Sequence, residues 1–365
     1  MHPETAGTIS GGFRVDRVYG LTDSRLFRAA PDLQNSGKRL YYPAFGKSGF
    51  RAFFLSGKMG KQQMTITAFI LIVVSAGLHA SWNMVAKKNR MTVPFYTVIC
   101  TVAMLFWVHV QFWTPVAVWS LPGKFWLLLY ASVFSDVLYC LGLMQIYKRM
   151  EMTTAYPIMR ALPIILTALA TAVLGWGKPL SAISVLGFLI VFAGALLMPQ
   201  NSFSDLKLAN YLNRNMLFIL LIACGTTGYT IFDSQAQQVL KACAANISSP
   251  LRSLAYYSTR GMALSSTLWL ICLSVTANRR DLLAFRDRAL LKQGILAGIF
   301  ASFSYVLVVC AMNYVTNVSY VQVFRQLGLP IGMGLGVLIL KEHCTRVKIL
   351  GVVLILTGLA ISVLG

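Results

Sequence analysis

Ten apolar runs of about 17 to 23 residues recur between residues 66 and 364, and a run of that length spans the hydrocarbon of a bilayer as a helix. They fall near 66–86, 93–113, 125–147, 154–174, 180–198, 215–237, 254–276, 290–312, 318–340 and 348–364. Hydrocarbon offers no water to backbone amides, so each run must close its own hydrogen bonds helically. The expected fold is an all-α polytopic membrane protein with ten transmembrane helices. Of 365 residues, 57% are hydrophobic and 12% charged, where a soluble domain carries about a quarter charged. Mean hydropathy is +0.67.

The formal net charge of +21 is not a nucleic-acid signal in such a chain. Its Lys and Arg residues gather in the first sixty positions and in short loops, where they set topology. No nucleic-acid-binding motif is present. Seven scattered cysteines form no CxxC pair, and the four histidines are dispersed, so no disulfide framework, metal site or cofactor is indicated. Residues 1–58 are basic, rich in Gly and Ser and without an apolar period, which suits a disordered arm or an over-extended start ahead of Met59.

The second half repeats the first. "VLGFLIVFAGALL" (185–197) matches "ILGVVLILTGLAI" (349–361), with Gly187 and Gly194 falling on Gly351 and Gly358. "YPIMRALPI" matches "VQVFRQLGLPI", so Arg160 falls on Arg325, with Pro163 and Pro330 shortly after. The repeats cover 64–198 and 215–365, joined by a linker at 199–214. Five helices is an odd number, so the halves are expected to enter the membrane in opposite senses. Loops after the odd-numbered helices hold most of the loop Lys and Arg, which predicts both termini outside.

The ten-helix duplicated layout, "AYPIMRALPI" in helix four, "LKEH" (340–343), the paired glycines of helices five and ten and "LHASWNMVAKK" in helix one resemble the EamA-type drug/metabolite transporter superfamily. That resemblance implies a multi-pass protein of the bacterial inner membrane, not an enzyme. It would export or exchange small metabolites through a central cavity lined by helices one, three, four, six, eight and nine. Flipping of a lipid-linked carrier and drug efflux are the alternatives. Expected partners are a small-molecule substrate and the lipid bilayer, with the chain a monomer or homodimer.

Charged residues inside a span are costly and mark function or pairing. Arg160 and Arg325, at equivalent places in the two halves, are read as anion contacts. Asp136 is either a partner for Arg160 or a substrate contact. Asp233 and Arg260 are read as an architectural ion pair. His79 and Asn83 share a face of helix one beside Trp82. With Tyr139, Tyr156, Tyr305 and Gln322 they supply aromatic and polar tips for a small amphipathic solute. Pro157 and Pro163 are expected to break helix four around Arg160, with Pro330 as the counterpart in helix nine. Gly328, Gly332 and Gly336 read as a close-packing stripe.

Overall fold

The structure, a computed structural model, describes residues 63–87, 91–149, 152–198, 200, 202–203, 215–340 and 344–364. Met1–Met59 and Gly60–Gly365 are separate units, and all described residues belong to the second. The arm at 1–58, most of the linker at 199–214, and residues 341–343 of "LKEH" lie outside the described residues.

The described fold is all-α; its only β feature is an isolated antiparallel bridge between Met64 and Val315. Helices lie over each of the ten apolar runs. They are α1 (Ile66–Lys87), α2 (Val93–Trp107), α3 (Gly123–Tyr147), α4 (Met152–Leu174), α5 (Ala182–Leu197), α6 (Met216–Cys243), α7 (Ser249–Ser274), α8 (Arg288–Ala311), α9 and α10 (Arg346–Ser362). Helix α9 is built from Val318–Phe324 and Gly328–Leu340, joined by one 3-10 turn at Arg325–Leu327.

Side-chain caps explain several starts. Thr92 accepts the amide of Phe95, with Pro94 in the first turn of α2. Asp287 caps α8 and Asn317 caps α9. Ser181 caps α5 by accepting from the amide of Ser184, and Thr345 caps α10 the same way from Lys348. Each such cap stabilises its helix by about 1 kcal/mol.

Five helical stretches are long and apolar enough to cross a membrane: Ile66–Asn83, Val93–Trp113, Gly123–Ile146, Met216–Cys243 and Arg288–Tyr314. Helix α7 with the bent segment after it, turned through 107°, makes a sixth candidate. The chain is thus a multi-pass membrane protein. The count falls below ten because α4 and α5 offer only shorter apolar stretches, α9 is interrupted, and α10 has 17 residues. Leu127, Phe134, Val173, Leu186 and Val353 are exposed on the outer surface, as lipid-facing side chains are.

Helices pair across the two halves: α1 with α8, α3 with α6, α2 with α7 and α5 with α10. Ser75 on α1 donates to the carbonyl of Ser304 on α8 (2.7 Å), and Ser304 donates back to that of Ser75 (3.0 Å). Gly225 and Gly228 let α6 approach Ser135 on α3 backbone to backbone. Without a hydrophobic force between helices in lipid, such small residues supply the close contact.

Two sequence expectations are corrected. Helix α4 runs unbroken through Pro157 and Pro163, since each proline removes one backbone donor without needing to end the helix. The break lies in α9 instead, two residues ahead of Pro330, where the ring also displaces the carbonyl of Gln326. The glycine stripe does not pack closely: a Cβ on Gly332 would meet nothing within 4 Å, and one on Gly328 would meet only the Arg160 guanidinium at 3.3 Å and Ala76.

Candidate functional site

Arg260, in the middle of α7, is 3% exposed and organises the interior. Its NH2 lies 2.8 Å from Asp136 Oδ2 on α3, and its Nε lies 3.1 Å from Asp233 Oδ1 on α6. The same Nε donates to Ser132 Oγ at 2.9 Å. Asp233 also accepts from the hydroxyls of Ser132, Tyr256 and Tyr305, and Asp136 from that of Tyr96 at 2.8 Å. Five helices meet in this one network. A buried carboxylate without partners costs several kcal/mol, and here each oxygen has one. Asp136 therefore pairs with Arg260, and the alternative pairing with Arg160 is not formed.

A cavity of about 100 Å³ opens beside this network. Arg325, Arg260, Asp136, His79, Trp82, Tyr139 and Tyr305 line it, together with Tyr96, Tyr229, Tyr257 and small residues of α2, α7 and α8. Its tyrosines meet edge to face, Tyr139 to Tyr229 at 6.1 Å and Tyr229 to Tyr305 at 5.6 Å. Two guanidinium groups flank the Tyr305 ring, that of Arg260 at 5.1 Å from its centroid and that of Arg325 at 5.8 Å. Such contacts hold cations in place without neutralising them.

Arg325 is 7% exposed, and its NH1 has no hydrogen-bond partner among the described residues. Both ion pairs among the described residues belong to Arg260. Helix α9 unwinds into its 3-10 turn at this residue, which carries the side chain to the cavity from an irregular backbone. Irregular backbone at membrane depth is tolerated where it is enclosed by protein or lines a cavity.

Arg160, half-buried on α4, stands behind that wall. Its NH2 donates to the carbonyl of Arg325 (2.7 Å) and its NH1 lies 3.0 Å from His79 Nε2. Gln326 donates back from α9 to the carbonyl of Arg160 (3.1 Å). Trp82 Nε1 donates to His79 Nδ1 at 3.0 Å, its ring edge-on to the imidazole.

The cavity thus draws on α1, α2, α3, α6, α7, α8 and α9, and helix four does not line it. Arg160, Asn83 and Gln322 lie outside its wall: Asn83 donates to the carbonyl of His79, and the carbonyl of Gln322 accepts from Gln326. The side chains of Tyr156 and Pro157 are outside the described residues. Tyr96 and Tyr257 were not singled out by sequence, since each sits in an apolar run with no charge or repeat to mark it.

A second pocket, of about 350 Å³, lies at one end of the bundle between Gly175–Lys178, the α6 residues Ser234 to Gln238 and the segment before α9. Trp176 packs on Phe232 there at 6.1 Å. Gly175 and Gly177 adopt φ of 64° and 103°, a backbone that glycine takes freely.

No protein-family model matches the chain, and no curated protein does. A crystal structure described only as that of a protein matches with a TM-score of 0.57 at 12% identity, covering 81% of this chain and 95% of its own. At that identity the likeness concerns the fold alone.

Proposed function

We propose that the chain is a secondary-active transporter, an exporter or exchanger of a small anionic metabolite, working by alternating access in a bacterial inner membrane. One observation carries this: Arg325 presents a buried, unpartnered N–H to a central cavity whose carboxylates are already committed to Arg260. An unsatisfied buried cation next to an enclosed space is stabilised by an anion entering that space.

The architecture proposed with it is ten spans as two inverted five-helix repeats of the EamA type. The pairing pattern supports it. Under a two-fold axis in the membrane plane, α1 against α8 maps onto α6 against α3, while α2–α7 and α5–α10 map onto themselves. The matched caps of α5 and α10 support it too. The small cavity favours a compact solute over a lipid-linked carrier or a bulky drug, because drug-sized ligands need roughly 300–1,000 Å³.

The test is uptake into proteoliposomes from a panel of labelled small anions, comparing the wild type with Arg325→Gln at equal reconstitution. Saturable anion uptake lost in the variant supports the role. Equal uptake by both removes Arg325 from the pathway.

A further inference from the structure

We infer that the cavity is built for a monovalent anion, a small carboxylate or its charge equivalent, and rejects dianions. This deepens the proposed transport role and rests on it. It follows from the balance of fixed charges around the site.

Arg260 with Asp136 and Asp233 forms a unit carrying one negative charge. Arg325 and Arg160 add two positive charges, joined through the Arg325 carbonyl. His79 adds none. Its two ring nitrogens face the Trp82 N–H and the Arg160 guanidinium, both obligate donors. A doubly protonated ring would set N–H against N–H on both sides, and even the neutral ring accepts from only one neighbour at a time. Among the described residues, one positive charge is therefore left over.

Uncompensated charge in a low-dielectric interior is costly, so the best occupant cancels that excess. One negative charge does so; two leave the site as unbalanced as before, with the opposite sign. The unpartnered NH1 of Arg325 marks the atom that the anion would meet. Around it stand the Tyr229 and Tyr305 rings, which suit a compact apolar remainder, and the space of about 100 Å³ admits only a small one.

Methanesulfonate and methylphosphonate separate charge from shape, being nearly isosteric. In mildly alkaline buffer the first carries one charge and the second two. Thermal unfolding of the detergent-purified full chain is expected to shift upward with methanesulfonate and with lactate. Methylphosphonate should have little effect there and should gain effect as falling pH returns it to the monoanion. Arg325→Gln should weaken methanesulfonate roughly tenfold or more, with Arg325→Lys intermediate. The midpoint of each variant without ligand reports its folding. Stronger stabilisation by the phosphonate dianion, unchanged binding in Arg325→Gln, or no response to any monoanion overturns the inference. Uptake by proteoliposomes separates the two levels. Binding of methanesulfonate without uptake leaves the charge assignment standing and removes the transport role, whereas uptake of a dianion does the reverse.

Discussion

Gly187 on α5 and Gly358 on α10 face each other so closely that a Cβ on either would lie 2.7 Å from the other's carbonyl oxygen. Seven residues along, Gly194 and Gly351 do the same, at 2.7 and 2.9 Å. The first glycine of α5 thus meets the second of α10 and the reverse, so the two helices run antiparallel. Each contact is the image of the other under a two-fold axis, because Gly187 corresponds in sequence to Gly351 and Gly194 to Gly358.

Gly187→Ala and Gly358→Ala should therefore each destabilise the fold. The atoms in the way are backbone, including Ser362 N at 2.6 Å from a Cβ on Gly187, and they cannot rotate aside. Overpacking of this kind costs about 1–3 kcal/mol. Gly332→Ala, whose new Cβ meets nothing within 4 Å, serves as the neutral control. Thermal unfolding in detergent measures all three, and a Gly187→Ala midpoint equal to that of Gly332→Ala would refute the close approach.

Removing Arg260 should damage the protein far more than removing Arg325. Arg260→Gln strands two buried aspartates that still face each other's charge, a loss of about 3–5 kcal/mol. Arg325→Gln removes a cation that has no carboxylate partner among the described residues, so its unfolding midpoint should stay near that of the wild type. Reversal of that order in a side-by-side melt would mean that the Arg260 network is not the keystone of the interior.

How much of this was readable from sequence differs by level. Helix positions were, since apolar length alone fixes where hydrocarbon-compatible helices lie. The equivalence of Arg160 and Arg325 was also visible, but its consequence was not. Sequence put both in the cavity, whereas only Arg325 lines it and Arg160 serves as its backbone clamp. Depth along a helix can be counted from sequence; the direction a side chain faces depends on helix rotation, which uniformly apolar runs leave unmarked. For the same reason Arg260 was matched with Asp233 and not with Asp136 as well. The prolines misled about α4, because a proline states which hydrogen bond is missing and not whether the helix continues.

Arg160→Lys should impair transport although the charge is kept. The guanidinium uses two nitrogens on two partners, His79 on α1 and the Arg325 carbonyl on α9, a fork that an ammonium cannot span in the same geometry. A fall of roughly tenfold or more in uptake, with normal insertion and melting, is expected. His79→Gln, which keeps an acceptor for Arg160, should retain more activity than His79→Leu. Equal uptake by the two His79 variants would show that the imidazole contact does not position Arg160.

Accessibility of introduced cysteines tests the proposed opposite senses of the two halves. If the helices alternate through ten crossings, Lys124 and Lys178 of the first half share a face with Lys241 of the second, while Lys148 shares the other with Arg279. The contacts at one end already group part of this set: the amide of Lys178, after α4, donates to the carbonyl of Thr316, before α9 (3.0 Å), and Thr316 donates to the carbonyl of Gln63, before α1. Three chain segments from both halves therefore gather at one end of the bundle. An impermeant thiol reagent added to intact cells, in a background lacking the seven native cysteines, should modify substitutions at 124, 178 and 241 alike and should reach 148 and 279 only after permeabilisation. The opposite accessibility of the whole set would invert the orientation read from loop charge and leave the repeat intact. Lys178 and Lys241 labelling from different sides would mean an odd number of crossings between them, which two inverted five-helix halves do not allow.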